Sequence, residues 1–218
     1  MRKISLVLPF AVLFLLVSFM FTDLRAEESS VENYFPMKLN SGYYYNFVQG
    51  PPDFVGKLFK YQKCVKREID GGELAGTFHN AMYAGRARID GIEIYSVRGN
   101  EVFLNYVKSP LADYLFTLRP VALKIPKKGM KEKWDASDER DKGKSKAICT
   151  SEYVPTLKTA LDAFENVIKV TKTTSFTNPS FHPLTEVEYY AKGIGMIRHE
   201  MGGGKDKAVI DLVKVEDN

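Results

Sequence analysis

The stretch IEIYSVRGNEVFLNYV, residues 92–107, decides the fold class. Hydrophobic and polar residues alternate on both sides of Arg98-Gly99-Asn100, which is the pattern of two half-buried strands. The Gly99-Asn100 pair tolerates the positive φ angles that a tight turn requires. The stretch therefore predicts an antiparallel hairpin.

The same pattern continues on both sides of this hairpin, with short connections between segments. Nine further segments are strand candidates: Tyr43–Val48, Lys57–Ile69, Thr77–Arg88, Tyr114–Ile125, Lys146–Tyr153, Glu165–Thr174, Thr185–Ala191, Met196–Met201 and Ala208–Val215. The segment Thr156–Phe164 competes as a helix, but at barely two turns it depends on packing against the sheet, so we expect a short helical turn or a tight loop there. We therefore predict an all-β, mainly antiparallel fold: a single strongly curved sheet or half-barrel meander with at most one or two short helices.

The N-terminus has the layout of a signal peptide. Arg2 and Lys3 precede an apolar run from Ile4 to Phe21, and a polar stretch follows. We predict a signal peptide over 1–26, cleaved near Ala26, then a flexible segment over 27–33 and one β-rich domain over 34–218. An uncleaved N-terminal membrane anchor is the alternative, because the apolar run is close to the roughly 20 residues that span a bilayer. The expected location is the periplasm or the extracellular space.

Net charge gives little indication of a partner. The formal charge of the full chain is +4, and removal of the signal peptide lowers it further because Arg2, Lys3, Arg25 and Asp23 leave with it. A charge so close to neutral creates no strong long-range field, and export separates the protein from nucleic acid. We therefore expect no nucleic-acid partner.

The two cysteines, Cys64 and Cys149, leave two alternatives open. In an oxidising compartment they are permitted to form one disulfide, which would stabilise the fold by about 4 kcal/mol if their strands are neighbours. The other alternative is a pair of buried thiols that pack as small apolar side chains.

No pattern of catalytic or metal-binding residues stands out. His79, His182 and His199 are far apart in sequence, and no serine or cysteine lies in a motif that would activate it. Glu186 and Glu188 share one face of a predicted strand, where period-two acids are common on a solvated surface. We expect no catalytic residues, no metal and no cofactor.

Aromatic residues are the compositional excess of this chain, at 12%. Tyr43 and Tyr45 lie on one strand face, Tyr189 begins a second aromatic pair, and Trp134 is the only aromatic residue of the charged stretch 127–146. We interpret these four residues as part of the core. The more specific alternative is that they line an apolar pocket on the concave face of a curved sheet. Gly193 and Gly195 flank Ile194 and predict a sharp turn between two strands.

Four segments together resemble uncharacterised exported bacterial proteins called TapB-like. The segments are Tyr34-Phe35-Pro36-Met37 with Gly42, Tyr43 and Tyr45; Pro126 with Gly129 and Trp134; Ala163 to Val170; and Tyr189 to Ile197. The resemblance implies a strongly bent antiparallel sheet, similar to the half-barrel of periplasmic lipoprotein carriers such as LolA, with no catalytic residues to transfer. This chain differs in having no cysteine before Cys64 that could carry a lipid.

The favoured hypothesis is an exported, non-enzymatic protein that holds a lipid, another apolar or amphipathic small molecule, or an envelope protein against a curved sheet. One alternative is an interaction module that pairs with its partner through an exposed sheet edge. The other is an enzyme whose site is assembled from residues distant in sequence.

Overall fold

Residues 30–84, 86–110, 112–116, 119–137, 144–202 and 207–217 are described by the structure, a computed structural model. They form one short helix and 13 strands: α1 (Val31–Tyr34), β1 (Gly42–Gln49), β2 (Leu58–Asp70), β3 (Glu73–Ala84), β4 (Ala87–Arg98), β5 (Glu101–Ser109), β6 (Ala112–Leu115), β7 (Val121–Lys124), β8 (Glu132–Asp135), β9 (Ser145–Lys158), β10 (Ala163–Phe176), β11 (Leu184–Ala191), β12 (Gly195–Met201) and β13 (Ala208–Glu216). The predicted all-β antiparallel class is confirmed.

All 13 strands belong to one unclosed antiparallel sheet. Its order is β6-β5-β4-β3-β2-β1-β13-β12-β11-β10-β9-β8, and β7 pairs with β5 beside β6. The chain therefore runs as two meanders that meet where β1 pairs with β13. The predicted hairpin at residues 92–107 lies in β4 and β5, with Gly99 at a φ of 59° in the turn.

The sheet bends until its two ends meet. Trp134 lies on β8 at one end of the strand order, and its indole Nε1 donates a hydrogen bond of 2.9 Å to the carbonyl oxygen of Val121 on β7 near the other end. Side chains of both halves consequently share one core, in which Phe78, Val102 and Ile168 are at most 3% exposed. The concave face of the sheet is thus the interior of the molecule.

The N-terminal segment Val31–Met37 fills one end of this interior. Phe35 contacts Phe78 on β3, Tyr95 on β4 and Tyr190 on β11, with ring centroids 5.0 to 6.4 Å apart. We call this the closed end; it also carries the β2–β3, β4–β5, β9–β10 and β11–β12 turns. The opposite end of the strands is called the open end.

Of the segment 27–33, predicted to be flexible, the structure describes residues 30–33, in which Val31 is fully buried in α1 because its side chain packs into the core beneath the bent sheet. At Thr156–Phe164, where a short helical turn or a tight loop is expected, the structure has a hairpin tip in which Leu157 pairs with Phe164. The tip is fixed by the backbone N–H of Ala160, which donates a hydrogen bond of 2.9 Å to Asp211. The predicted signal peptide over 1–26 lies outside the described residues.

Candidate functional site

A cavity of about 250 Å³ lies on the concave face, between the two halves of the bent sheet. One half contributes Tyr95 from β4 and Leu104 from β5, together with Phe116 and Val121. The other half contributes Val170 from β10. Strand residues alternate between faces, so these apolar residues point inward while their neighbours point outward. We call this space the central cavity.

One side of the central cavity is polar. Lys172 on β10 and Glu186 and Glu188 on β11 line it, and the Nζ of Lys172 is 3.7 Å from Oε2 of Glu186. Register explains this proximity, since Val170 pairs with Glu188 and Lys172 pairs with Glu186. The cavity therefore has an apolar wall and a charged wall.

Two tyrosines, the buried Tyr190 and the half-buried Tyr95, donate hydrogen bonds to acids beside this space. The Tyr190 hydroxyl donates to Oε2 of Glu188 at 2.6 Å, and the Tyr95 hydroxyl donates to Oε2 of Glu93 at 3.1 Å. Burial, followed by the negative charge of the nearby glutamates, raises the pKa of both tyrosines well above the usual value. Both hydroxyls stay protonated near neutral pH and act as donors.

A second cavity, of about 290 Å³, lies closer to the open end, and we call it the mouth cavity. Met82, Ile89 and Ile210 provide apolar lining, and Glu93 and His199 provide polar lining. The Nε2 of His199 is 3.8 Å from Oε1 of Glu186, too long for a hydrogen bond, and this buried nitrogen has no hydrogen-bond partner in the described part of the chain. Glu186 and His199 therefore lie between the two cavities.

The four aromatic residues singled out from the sequence do not line these two cavities. Tyr43 and Tyr45 are 4% and 1% exposed and border a separate space of about 30 Å³ next to Pro36. Trp134 is buried and joins the sheet ends, and Tyr189 packs half-buried against the core cluster that contains Tyr45. Burial raises the pKa of Tyr43 to about 12.

The two cysteines are separate buried thiols, so the disulfide alternative does not match the structure. Cys64 lies on β2 and Cys149 on β9, and five other strands separate these two in the sheet. Cys149 also lines the central cavity. Burial raises the pKa of its thiol to about 12, which suppresses the nucleophilic thiolate form.

The remaining candidate residues are dispersed. His79 and His182 are exposed, whereas the half-buried His199 lines the mouth cavity. Within the described ranges, no group of three or more histidine, cysteine, aspartate or glutamate side chains could hold a metal ion. Gly193 and Gly195 have φ angles of 78° and 101° in the β11–β12 turn.

Glu186 and Glu188, whose spacing is common on a solvated strand surface, are both half-buried on the concave face. The signal was their spacing from Tyr190: residues 186, 188 and 190 share one face of β11, and Tyr190 is 4% exposed. An acid that shares a face with a buried tyrosine indicates a polar group inside the core.

No protein-family model and no curated protein matches this chain. Two solved structures are similar, each at 12% sequence identity and each over 84% of this chain. One is a Bacteroides fragilis protein described as exported and as having a YmcC-like fold, with a TM-score of 0.51 over 99% of its length. The other is a Parabacteroides distasonis protein described as a lipoprotein, with a TM-score of 0.50 over 98% of its length. The resemblance to bent β-sheet bacterial proteins is thereby confirmed at the level of fold, whereas neither match is described as TapB-like or as a LolA carrier.

Proposed function

We propose that this chain is an exported, non-enzymatic binding protein that holds an apolar or amphipathic small molecule inside its bent sheet. The observation that carries the proposal is the pair of cavities on the concave face, of about 250 and 290 Å³. The N-terminal segment fills the closed end of the interior and leaves these two spaces beyond it.

The size and lining of the central cavity support this class of ligand. An apolar cavity of roughly 150 Å³ is large enough for a benzene molecule, so the central cavity accepts a somewhat larger apolar group. Ligand sites in proteins are typically apolar with a few polar groups that fix orientation. Here Leu104 and Val170 form part of the apolar wall, and Lys172 and Glu188 supply the polar groups.

Export is supported by two independent observations. The N-terminal sequence has the layout of a signal peptide, and the two structurally similar bacterial proteins are described as an exported protein and a lipoprotein. The structure contains no helix, in its described part, that is long and apolar enough to cross a membrane.

A titration with an apolar fluorescent probe tests the proposal. The unaltered protein should bind the probe saturably, and Leu104→Trp should lose most of that binding because the larger ring fills the central cavity. Thr173→Trp is the control, since Thr173 is exposed on β10 and faces away from Val170 and Lys172. Saturable binding that survives Leu104→Trp, or no saturable binding by either protein, would contradict the proposal.

The enzyme alternative has one supporting observation, which is that His199 lies beside the mouth cavity with Glu93 and near Glu186. If the chain is an enzyme, His199 is its best candidate for a general base. Loss of a measured turnover in His199→Asn, with ligand binding retained, would establish this alternative. The edge-pairing alternative has weaker support, because the edge strands β6 and β8 have only four residues each.

A further inference from the structure

Large hydrophobic side chains are exposed mainly at the open end. Nine of the 14 exposed large hydrophobic residues in the described ranges lie in or near its loops: Val48, Phe54, Val55, Phe59, Met82, Ile89, Phe176, Phe181 and Leu184. Only Leu39, Ile69, Met130 and Leu161 are exposed in the same way at the closed end, and Leu115 lies on the edge strand β6. Exposed hydrophobic residues are ordinary when scattered, but their concentration at one end indicates a contact surface.

These side chains come from three separate connections at the open end. Phe54 and Val55 belong to the β1–β2 loop, Met82 and Ile89 flank the β3–β4 turn, and Phe181 lies in the β10–β11 loop. Met82 and Ile89 also line the mouth cavity itself. The exposed apolar surface therefore adjoins the entrance to the interior at Met82 and Ile89.

Basic residues accompany this apolar surface. Exposed basic side chains at the open end are Lys57, Arg86, Arg88, Lys108, Lys144 and Lys146, against the acidic Asp53, Asp90, Asp113 and Asp135 in the described ranges. Three of these acids form exposed ion pairs with Lys57, Arg88 and Lys108. When the sequence of residues 138–143 and 203–206 is included, and with it the half-buried Lys207, basic residues outnumber acidic ones by ten to eight. The open end thus combines the exposed apolar side chains of its loops, which we call the apolar tips, with an excess of positive charge.

We propose that the open end docks on an anionic lipid surface, with the apolar tips inserted among the headgroups and the basic side chains facing lipid phosphates. Two weak signals, apolar insertion and attraction to anionic lipid, together give stable and reversible membrane association. Positive charge favours an anionic lipid surface over a neutral one and over a second copy of this chain, whose open end has the same sign of charge. Docking in this orientation brings the mouth cavity to the membrane, from which an apolar ligand would enter.

Co-sedimentation with vesicles tests this surface. The protein should bind vesicles of equal parts phosphatidylcholine and phosphatidylglycerol, bind phosphatidylcholine vesicles more weakly, and lose affinity as salt rises. The double variant Ile89→Glu with Phe181→Glu should lose roughly tenfold or more in partitioning, since both residues are over half exposed and their removal from the membrane costs apolar burial.

The matched control is Ile69→Glu with Met130→Glu, which places the same charges at residues that are 79% and 58% exposed at the closed end. Equal loss in both double variants, or no vesicle binding by the unaltered protein, would overturn the proposal. A dimer detected by sedimentation velocity and dissociated only by the open-end variant would also overturn it, in favour of self-association. The assay contains no probe for the interior, so its failure is separate from failure of the ligand-binding proposal.

Discussion

Gly193 and Gly195, in the β11–β12 turn of the closed end, adopt backbone conformations that residues with side chains rarely adopt. Both have positive φ angles, and a side chain at Gly195 would come within 3.4 Å of Pro36 in the N-terminal segment. The N–H of Gly193 donates a 2.5 Å hydrogen bond to the carbonyl oxygen of Asn33, so this turn also holds α1. The sharp turn predicted from sequence is therefore also a docking point for the N-terminal segment.

Substitution of either glycine by valine should destabilise the fold by about 1–3 kcal/mol, because a β-branched residue is excluded from positive φ. Gly195→Val should cost more than Gly193→Val, since only the former also meets Pro36. Denaturant midpoints measure the effect, with Gly203→Val in the glycine run outside the described residues as the comparison. Equal midpoints for all three variants would show that the turn is not strained in this way.

Glu73 on β3 is held by two arginines. It accepts hydrogen bonds from Nε of Arg98 at 2.8 Å and Nη1 of Arg119 at 2.9 Å, and these bonds lower its pKa to about 2. Because the folded pKa is below the ordinary value, the ionised form stabilises the fold above pH about 4.5, and this contribution is lost as pH falls towards about 2.

Glu73→Gln should therefore lower the free energy of unfolding near neutral pH, and the difference from the unaltered protein should shrink as pH falls from about 5 to about 2. Urea denaturation across this pH range measures it. Glu68→Gln on β2 is the control, because its ion pair with Lys66 is exposed and such pairs contribute little. If the difference in unfolding free energy between Glu73→Gln and the unaltered protein does not change with pH, the Glu73 interaction is not the source of that difference.

At the scale of elements, a hairpin is predictable from sequence where the turn residues and the alternation of hydrophobic and polar residues indicate the same structure. Both hold for residues 92–107, and the structure has β4 and β5 there. At Thr156–Phe164 the pattern was ambiguous, because Leu157 and Phe164 share one face of a helix and are also cross-strand partners in a hairpin. The buried carboxylate Asp211, distant in sequence, contacts Ala160 in this tip, and no local pattern reveals such a partner.

The candidate site was harder to predict for a related reason. The lining of the central cavity comes from both halves of the sheet, with Leu104 on β5 facing Val170 on β10 across the bend. Sequence alternation assigns a face to each residue but does not show which distant strand lies opposite. The sequence therefore shows that Glu186 and Glu188 share one strand face. It does not show that this face lies inside the bent sheet.

We expect the contact between Trp134 on β8 and Val121 on β7 to hold the two ends of the sheet together. Trp134→Phe retains an aromatic ring but removes the 2.9 Å hydrogen bond to Val121, and we expect a loss of about 1–2 kcal/mol because the carbonyl is left unpaired. Tyr106→Phe is the control, since it removes an exposed hydrogen bond of 2.8 Å within the β5–β6 pair. Thermal unfolding followed by circular dichroism measures both, and equal stability of the two variants would show that the link between sheet ends contributes little.

At the scale of the whole molecule, the interior is divided between packing and open space. The N-terminal segment supplies the packing at the closed end, where Phe35 contacts rings from β3, β4 and β11. Beyond these rings lie the central and mouth cavities, and Tyr95 both contacts Phe35 and lines the central cavity. Phe35 therefore forms part of the boundary between the filled and the open interior.

Phe35→Ala should consequently have two effects, a loss of stability of about 3 kcal/mol and an increase in the amount of apolar probe bound by the still-folded protein. The second effect follows because removal of the ring extends the central cavity past Tyr95 towards the closed end. Leu39→Ala is the control, since Leu39 lies nearby in sequence but is half exposed, and it should change stability by no more than about 0.5 kcal/mol. Near-ultraviolet circular dichroism verifies that each variant is folded before the probe is titrated. A folded Phe35→Ala protein with unchanged probe capacity would mean that the N-terminal segment does not limit the ligand space, because the cavity then ends at Tyr95 itself.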